Sequence, residues 1–236
     1  MSGPGMPRIP GQPGAKQARG YAAPKFAFRE GESLTAAGGD RVGVVLLAAG
    51  RGSRFGDAGP KTLARLGARP LVTHAVAAAS MSGLRPVLVV VGCQAADVAR
   101  AAGTLAEIVE NPEWEGGMST SLRAGLATVL PDPTVTAVAV ALADQPRIGA
   151  EAYRRLAAAH REGAQLAVAT YGGKRGHPVL IGRSHFEEAM RMTGDEGARS
   201  LLAAHDVVEV PCDGTGDAAD VDTRADLAAL EGGGPV

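Results

Sequence analysis

Three cations and four glycines crowd one short stretch of this chain. Leu47-Ala48-Ala49-Gly50-Arg51-Gly52-Ser53-Arg54-Phe55-Gly56 runs through Asp57-Ala58-Gly59-Pro60 to Lys61. Two phosphate-binding loops nearly fit it, and both fail. A dinucleotide fingerprint, G-x-G-x-x-G, opens directly into a helix. Here the third glycine comes one residue late, at Gly56, and the loop continues through Pro60. A P-loop sets glycine immediately before Lys-Thr so that an N–H can meet phosphate. Pro60 stands there and has no N–H to give. What the stretch does supply is glycines that admit close backbone approach, with positive charge from Arg51, Arg54 and Lys61. That combination suits a triphosphate and the charge that develops as it is transferred. Backbone groups of Leu47, Ala48, Ala49, Gly50, Gly52 and Ser53 are the candidate nucleotide contacts. A Gly-rich surface turn with solvated bases is the plain alternative.

A triphosphate also needs a divalent cation, and Mg2+ takes one or two carboxylates besides phosphate oxygens and water. Asp144 follows the apolar run 136–143 and is pinned by Gln145-Pro146, so it projects beyond the end of that run. A turn or capping aspartate is the competing reading. In Asp220-Val221-Asp222-Thr223, Thr223 and Asp226 make an acceptable capping pair. That leaves Asp222 for a second metal position, with Asp220 as the fallback. Ser119, Thr120 and Ser121, ahead of Arg123, suit an N-cap or an anion site equally. Gly194-Asp195-Glu196-Gly197-Ala198-Arg199 sets an acid and an arginine at a helix start. Arg199 there fits a phosphate or a polar ring edge, or a local pair with Asp195. His177, beside Pro178, either steadies a turn or faces a substrate. His74, Cys93 and Cys212 read as structural, and Trp114 as packing beneath the loop 111–121.

These residues need a frame. Apolar runs at 42–47, 86–91, 106–110, 136–143, 165–171 and 207–210 alternate with Ala-rich amphipathic stretches near 71–81, 95–102, 119–130, 149–161, 184–191, 197–204 and 223–231. Continuous apolar strands separated by helices predict a three-layer α/β fold with a mostly parallel, doubly wound sheet. Such sheets bind ligands at the carboxyl ends of their strands. The loops near 48–61, 111–121 and 143–147 should therefore carry the chemistry.

The motifs also carry a family likeness. LAAGRGSRFG, PKTL and GARPLVTHAV resemble the superfamily of nucleotidyltransferases that move a nucleotide from an NTP onto a phosphate. ENPEWEGGMSTSLRAGL (110–126), ALADQP (141–146), ATYGGKRGHPVL (169–180), GDEGARSLL (194–202) and DVDTRADL (220–227) follow in the same order. The set is similar to the molybdenum cofactor cytidylyltransferase branch, over about residues 42–230. The resemblance implies a Rossmann-like fold of the nucleotide-diphospho-sugar transferase type. It implies transfer of CMP from CTP to the phosphate of molybdopterin, with Mg2+ on Asp144 and Asp222 and with Lys61, Arg51 and Arg54 as catalytic groups. Ser119, Ser121, Arg123, His177, Asp195 and Arg199 would form the substrate side. Ala49 favours the cytidylyl branch over its guanylyl counterpart, which usually has Gly there, so GTP is the rival nucleotide. A nicotinamide- or flavin-dependent reductase in the same crevice is another reading. The displaced fingerprint and the lack of an acid near position 70 count against it. A third is a carrier that delivers cofactor to an apo molybdenum hydroxylase.

Composition narrows the partners. Lys+Arg is 24 against Asp+Glu 25, which excludes the basic excess of a nucleic-acid backbone binder. Aromatics make up only 3%, too few for a base-stacking platform. Two cysteines cannot frame a disulfide scaffold, and no apolar run approaches a membrane span. The expectation is a cytoplasmic, small-molecule protein with neither nucleic-acid nor membrane partners. Residues 1–40 hold eight Gly and five Pro, and predict a flexible extension that carries Tyr21, Phe26 and Phe28. Residues 41–236 form the nucleotidyltransferase domain in this division.

Overall fold

The computed structural model describes residues 41–52, 55 and 59–232. The extension 1–40 and the site positions Ser53 and Arg54 lie outside the described residues.

A seven-stranded sheet divides the molecule. Its order is β5-β4-β1-β6-β8-β7-β9, from β1 (Arg41–Ala48), β4 (Val87–Val91), β5 (Glu107–Glu110), β6 (Val135–Leu142), β7 (Leu166–Tyr171), β8 (Lys174–Gly182) and β9 (Val208–Pro211). All neighbours are parallel except β8, which runs antiparallel to β6 and β7. A small hairpin of β2 (Arg65–Leu66) and β3 (Arg69–Pro70) stands apart from the sheet.

Successive strand residues point to opposite faces, and each face has its own core. Val44 and Leu46 of β1 join Val72, Ala75, Val76 and Ala79 of α1 (Leu71–Met81), together with α2 (Ala95–Ala102) and α4 (Ala150–Arg161). Val45 joins Leu122, Leu126 and Val129 of α3 (Met118–Val129), with α5 (Phe186–Met190) and α6 (Arg199–Ala204). The helical residues recur at three and four, so each helix presents one apolar stripe. On β6, Ala137, Ala139 and Ala141 face the α4 side, whereas Val138 and Val140 face the other. The alanine row leaves room for Tyr153, the bulkiest of the fully buried side chains.

Every strand read from the apolar runs is present to within two residues. Two elements were not legible, the short hairpin and β8. β8 contains Pro178, which lacks a ladder N–H and argues against an interior strand. The sheet absorbs it as a bulge on β8 itself: Val168 pairs with Val179 and Thr170 with Arg175, so residues 176–178 stand opposite the single residue Ala169. Gly172 and Gly173, with φ of 56° and 73°, supply the positive-φ pair of a tight hairpin turn from β7 into β8. At the ends, α5 is shorter than the expected 184–191 because Arg183–His185 forms a 3-10 turn before it. α7 (Arg224–Gly232) closes the chain. Among the described residues no helix is long and apolar enough to cross a membrane.

Candidate active site

The chain leaves β1 for β4 on one side, and β6 lies on the other. β1 is therefore where the strand order reverses, which is where open sheets leave a crevice. Backbone bonds from Cys93 N–H to Ala49 O (2.9 Å) and from Ala143 N–H to Leu47 O (3.0 Å) hold the three strand ends level. A cleft of about 310 Å³ opens above them, floored by Leu47–Gly50. Lys61, Asp144 and Asp222 form one wall; Trp114, Gly117, Met118, Ser121 and Asp195 form the other.

Lys61 begins a 3-10 turn, Lys61–Leu63, started by Pro60, whose carbonyl accepts the Leu63 N–H at 3.0 Å. Gly52 has a φ of +70°, and a Cβ there would stand 2.7 Å from Lys61 Cγ. Glycine thus lets the first loop lie directly on the lysine stem. The Lys61 ammonium meets the Asp144 carboxylate and, at 2.6 Å, Asp222 Oδ1. Burial alone would lower the Lys61 pKa, but the charges and hydrogen bonds of Asp144 and Asp222 outweigh it and hold it above its ordinary value. It stays a cation.

Asp222 reaches this point because its segment is tied to the end of β6. Val221 N–H donates to Asp144 O at 3.1 Å, and Gln145 Nε2 donates to Asp220 Oδ1 at 2.6 Å. Burial first, and then the Asp144 charge, raise the Asp220 carboxyl above its usual range. Thr223 and Asp226 cap α7 reciprocally. Thr223 N–H donates to Asp226 Oδ2 at 2.7 Å, and Asp226 N–H to Thr223 Oγ1 at 3.2 Å. The cap leaves the Asp222 carboxylate facing Lys61.

Asp144 Oδ1 is buried and accepts no hydrogen bond from the described residues, and buried Thr62 Oγ1 beside the cleft is in the same position. A carboxylate oxygen buried without a donor is costly. A hard divalent cation would satisfy it, and Asp144 with Asp222 is a donor set that such an ion accepts. The residues fit the metal expected at this site.

On the opposite wall, Asp195 Oδ1 accepts the first N–H of α3, from Met118, at 3.2 Å, and so borders the cleft. Ser121 Oγ lines it and accepts from Asn111 Nδ2 at 3.0 Å. Other expected substrate residues sit differently. Ser119 is buried, its Oγ without a partner among the described residues, outside the cleft lining. Arg123 turns to Glu113 at 3.8 Å. Arg199 is exposed at the start of α6. His177 is half-buried; burial, with Arg199 adding and Asp144 opposing, pushes its pKa down to about 4, so it is neutral at physiological pH. His177 is thus within electrostatic reach of Asp144, and Arg199 of His177, but neither lines the cleft.

Three cleft features were missed or misread. Asn111 is buried after β5 and donates to Thr120 and Ser121 while accepting the Glu113 N–H at 3.0 Å, so it shapes the whole 111–121 loop. A polar residue directly after a strand, before Pro112, was its only signal. Trp114, read as packing beneath that loop, instead faces the cleft, with the Arg51 guanidinium 5.8 Å from its ring centre. Thr62 had no signal beyond its place next to Lys61. His74 Nε2 meets Leu66 O at 3.1 Å and holds the small hairpin. Cys93 and Cys212 are buried free thiols, and burial pushes Cys212 up to about 11.

Fold and cleft together define a class: a nucleotidyltransferase of Rossmann-like, nucleotide-diphospho-sugar transferase architecture. The MobA-like NTP transferase domain matches residues 44–210, and the chain belongs to that family. It is 36% identical over 199 residues to nicotine blue oxidoreductase of Paenarthrobacter nicotinovorans, covering 79% of this chain and 94% of that protein. Among solved structures it resembles Rv0371c of Mycobacterium tuberculosis H37Rv, with a TM-score of 0.70, 30% identity, and coverage of 82% and 98%. Rv0371c in complex with manganese matches with a TM-score of 0.68 and 29% identity, covering 82% of this chain and 99% of that one.

Proposed function

We propose that this protein is a Mg2+-dependent cytidylyltransferase that moves CMP from CTP onto the terminal phosphate of molybdopterin. The observation that carries the proposal is the pairing of Lys61 with Asp144 and Asp222 at the strand-end cleft, where a buried Asp144 oxygen has no donor among the described residues. An acceptor phosphate oxygen attacks the α-phosphorus in line, the bond to the β-phosphate oxygen breaks, and pyrophosphate leaves. Such a reaction asks the protein for positioning and charge neutralisation, not for a nucleophile. Lys61, with Arg51 and Arg54, stabilises the transferring and leaving phosphates. Leu47–Gly50, Gly52 and Ser53 hold the nucleotide by backbone approach. Asp144 and Asp222 would hold Mg2+, which supplies charge neutralisation at the phosphates when bound. The manganese complex of the mycobacterial relative supports a divalent-ion requirement.

Ser119, Ser121, Arg123, His177, Asp195 and Arg199 remain the proposed acceptor side, with Ser121 and Asp195 nearest the cleft. Ala49 supports CTP over GTP. An apo molybdenum hydroxylase in the cytoplasm is the proposed recipient of the product.

The test offers each NTP with Mg2+ and molybdopterin and measures pyrophosphate. Preferred release from CTP is expected. Preference for GTP moves the chain to the guanylyl branch, and no release with any nucleotide overturns the transferase reading. The name of the 36%-identical relative favours a second reading, a reductase using nicotinamide or flavin. That reading requires a tightly held chromophore or NAD(P)H oxidation, measurable on the same preparation. Gly56 in place of a glycine at 55 gives a nicotinamide dinucleotide no standard phosphate turn.

A further inference from the structure

The chain has five histidines, and three are accounted for. His74 and His160 bond backbone carbonyls, and His177 stands near the cleft. The other two converge elsewhere. His185 ends the 3-10 turn before α5, Glu188 lies on α5, and His205 follows the last residue of α6. His205 Nε2 is 2.9 Å from both Glu188 oxygens, and His185 Nδ1 is 3.6 Å from Glu188 Oε2. The imidazole rings meet edge to face, with centroids 4.7 Å apart.

The geometry points to a binding site for one transition-metal ion of the Zn2+ class, held by His185, Glu188 and His205, distinct from the nucleotide cleft. One ligand atom from each residue lies within 4.8 Å of the other two. Tetrahedral zinc with ligands at ~2.0–2.1 Å sets neighbouring ligand atoms ~3.3–3.4 Å apart. The observed separations of 2.9 and 3.6 Å bracket that value. Small side-chain rotations would close the set around an ion. The three side chains are 20%, 47% and 35% exposed, so an ion can enter and a water can complete the shell. The neighbouring acid Glu187 is engaged by Arg191 and does not compete. Two imidazoles and one carboxylate select Zn2+, Co2+ or Ni2+ over Mg2+, whereas the all-carboxylate cleft prefers the hard ion. The two sites therefore sort metals by ligand chemistry. A metal here would fasten the end of α6 to α5. Between those helices lies the segment 191–198, which carries Asp195 to the first N–H of α3.

The test is calorimetric titration of the full, EDTA-stripped chain with ZnCl2, in the wild type and in His185→Gln, His205→Gln and Asp144→Asn, each checked by circular dichroism. One equivalent is expected in the wild type and in Asp144→Asn, with affinity at least about tenfold weaker in each histidine variant. Unchanged affinity in both histidine variants, or loss in Asp144→Asn alone, would overturn the assignment. So would absence of binding in the wild type. Co2+ added to the wild type gives an independent reading that needs no variant. Intense visible bands of four-coordinate cobalt, displaced by Zn2+, are expected, and only the weak bands of hydrated cobalt would count against the site. None of these outcomes depends on nucleotide transfer.

Discussion

At the scale of single residues, the cleft is a problem in charge balance. Asp144, Asp220 and Asp222 gather around one lysine, so removing any charge unbalances the rest. Asp144→Ala is expected to lower Mg2+-dependent pyrophosphate release by at least about a hundredfold while the chain stays folded. Near-normal release would remove Asp144 from the mechanism. Lys61→Met removes the cation that bridges the Asp144 and Asp222 carboxylates. It should destabilise the chain in the absence of metal and lower turnover in its presence, separable by urea titration and initial rates. His177 gives the molecule an acid-sensitive element. Its neutral form is favoured in the fold, so the unfolded chain takes up the proton first. The contribution is fully present above about pH 6.5 and is lost as pH falls through about 4. His177→Gln should flatten the urea midpoint over that interval, and an unchanged slope would assign acid sensitivity to the carboxylates.

Among the elements, α3 matters most to the site, because its first turn forms the cleft wall and its stripe sits on β1 and β4. Gly125 lets it approach: a Cβ there would stand 2.5 Å from Val45 Cγ1. Gly125→Ala gains about 1 kcal/mol of helix propensity but meets an overpacking cost of about 1–3 kcal/mol. The clash wins, so a net loss of about 1 kcal/mol is expected in urea denaturation. A stabilised variant would mean that α3 can lift away without cost. Ser119–Ser121 and Asp195 would move with it. Strand β8 shows why an element can escape a sequence reading. Its Pro178 breaks the pattern locally, and the position is tolerable because the extra residues 176–178 of β8 bulge opposite a single residue, Ala169, of the facing strand.

For the whole molecule, binding and stability are linked by mass action. A ligand that binds only the folded chain adds about 2.7 kcal/mol at a hundred times its Kd. CTP with Mg2+ should raise the melting temperature, and Asp144→Asn should abolish most of that rise. An equal rise in the variant would place the nucleotide elsewhere. The family match begins at residue 44, so deletion of residues 1–40 is expected to leave melting temperature and turnover within experimental scatter. A large loss would give the extension a part in the fold or the site.

Strand positions, helix stripes and the loops that follow β1, β5 and β6 at the strand ends were set by local pattern. Apolar periodicity and Gly/Pro punctuation act over a few residues, and the linear chain displays them openly. The capping of α7 by Thr223 and Asp226 was legible for the same reason. Tertiary structure alone decided which distant groups meet. It joined Asp222 to Lys61 and Asp144, aimed Trp114 into the cleft, set Arg123 beside Glu113, and brought His205 to Glu188. Those outcomes depend on how strands order themselves in a sheet and how closely helices approach it. Burial and packing settle that over the whole chain, so no local stretch of sequence carries it.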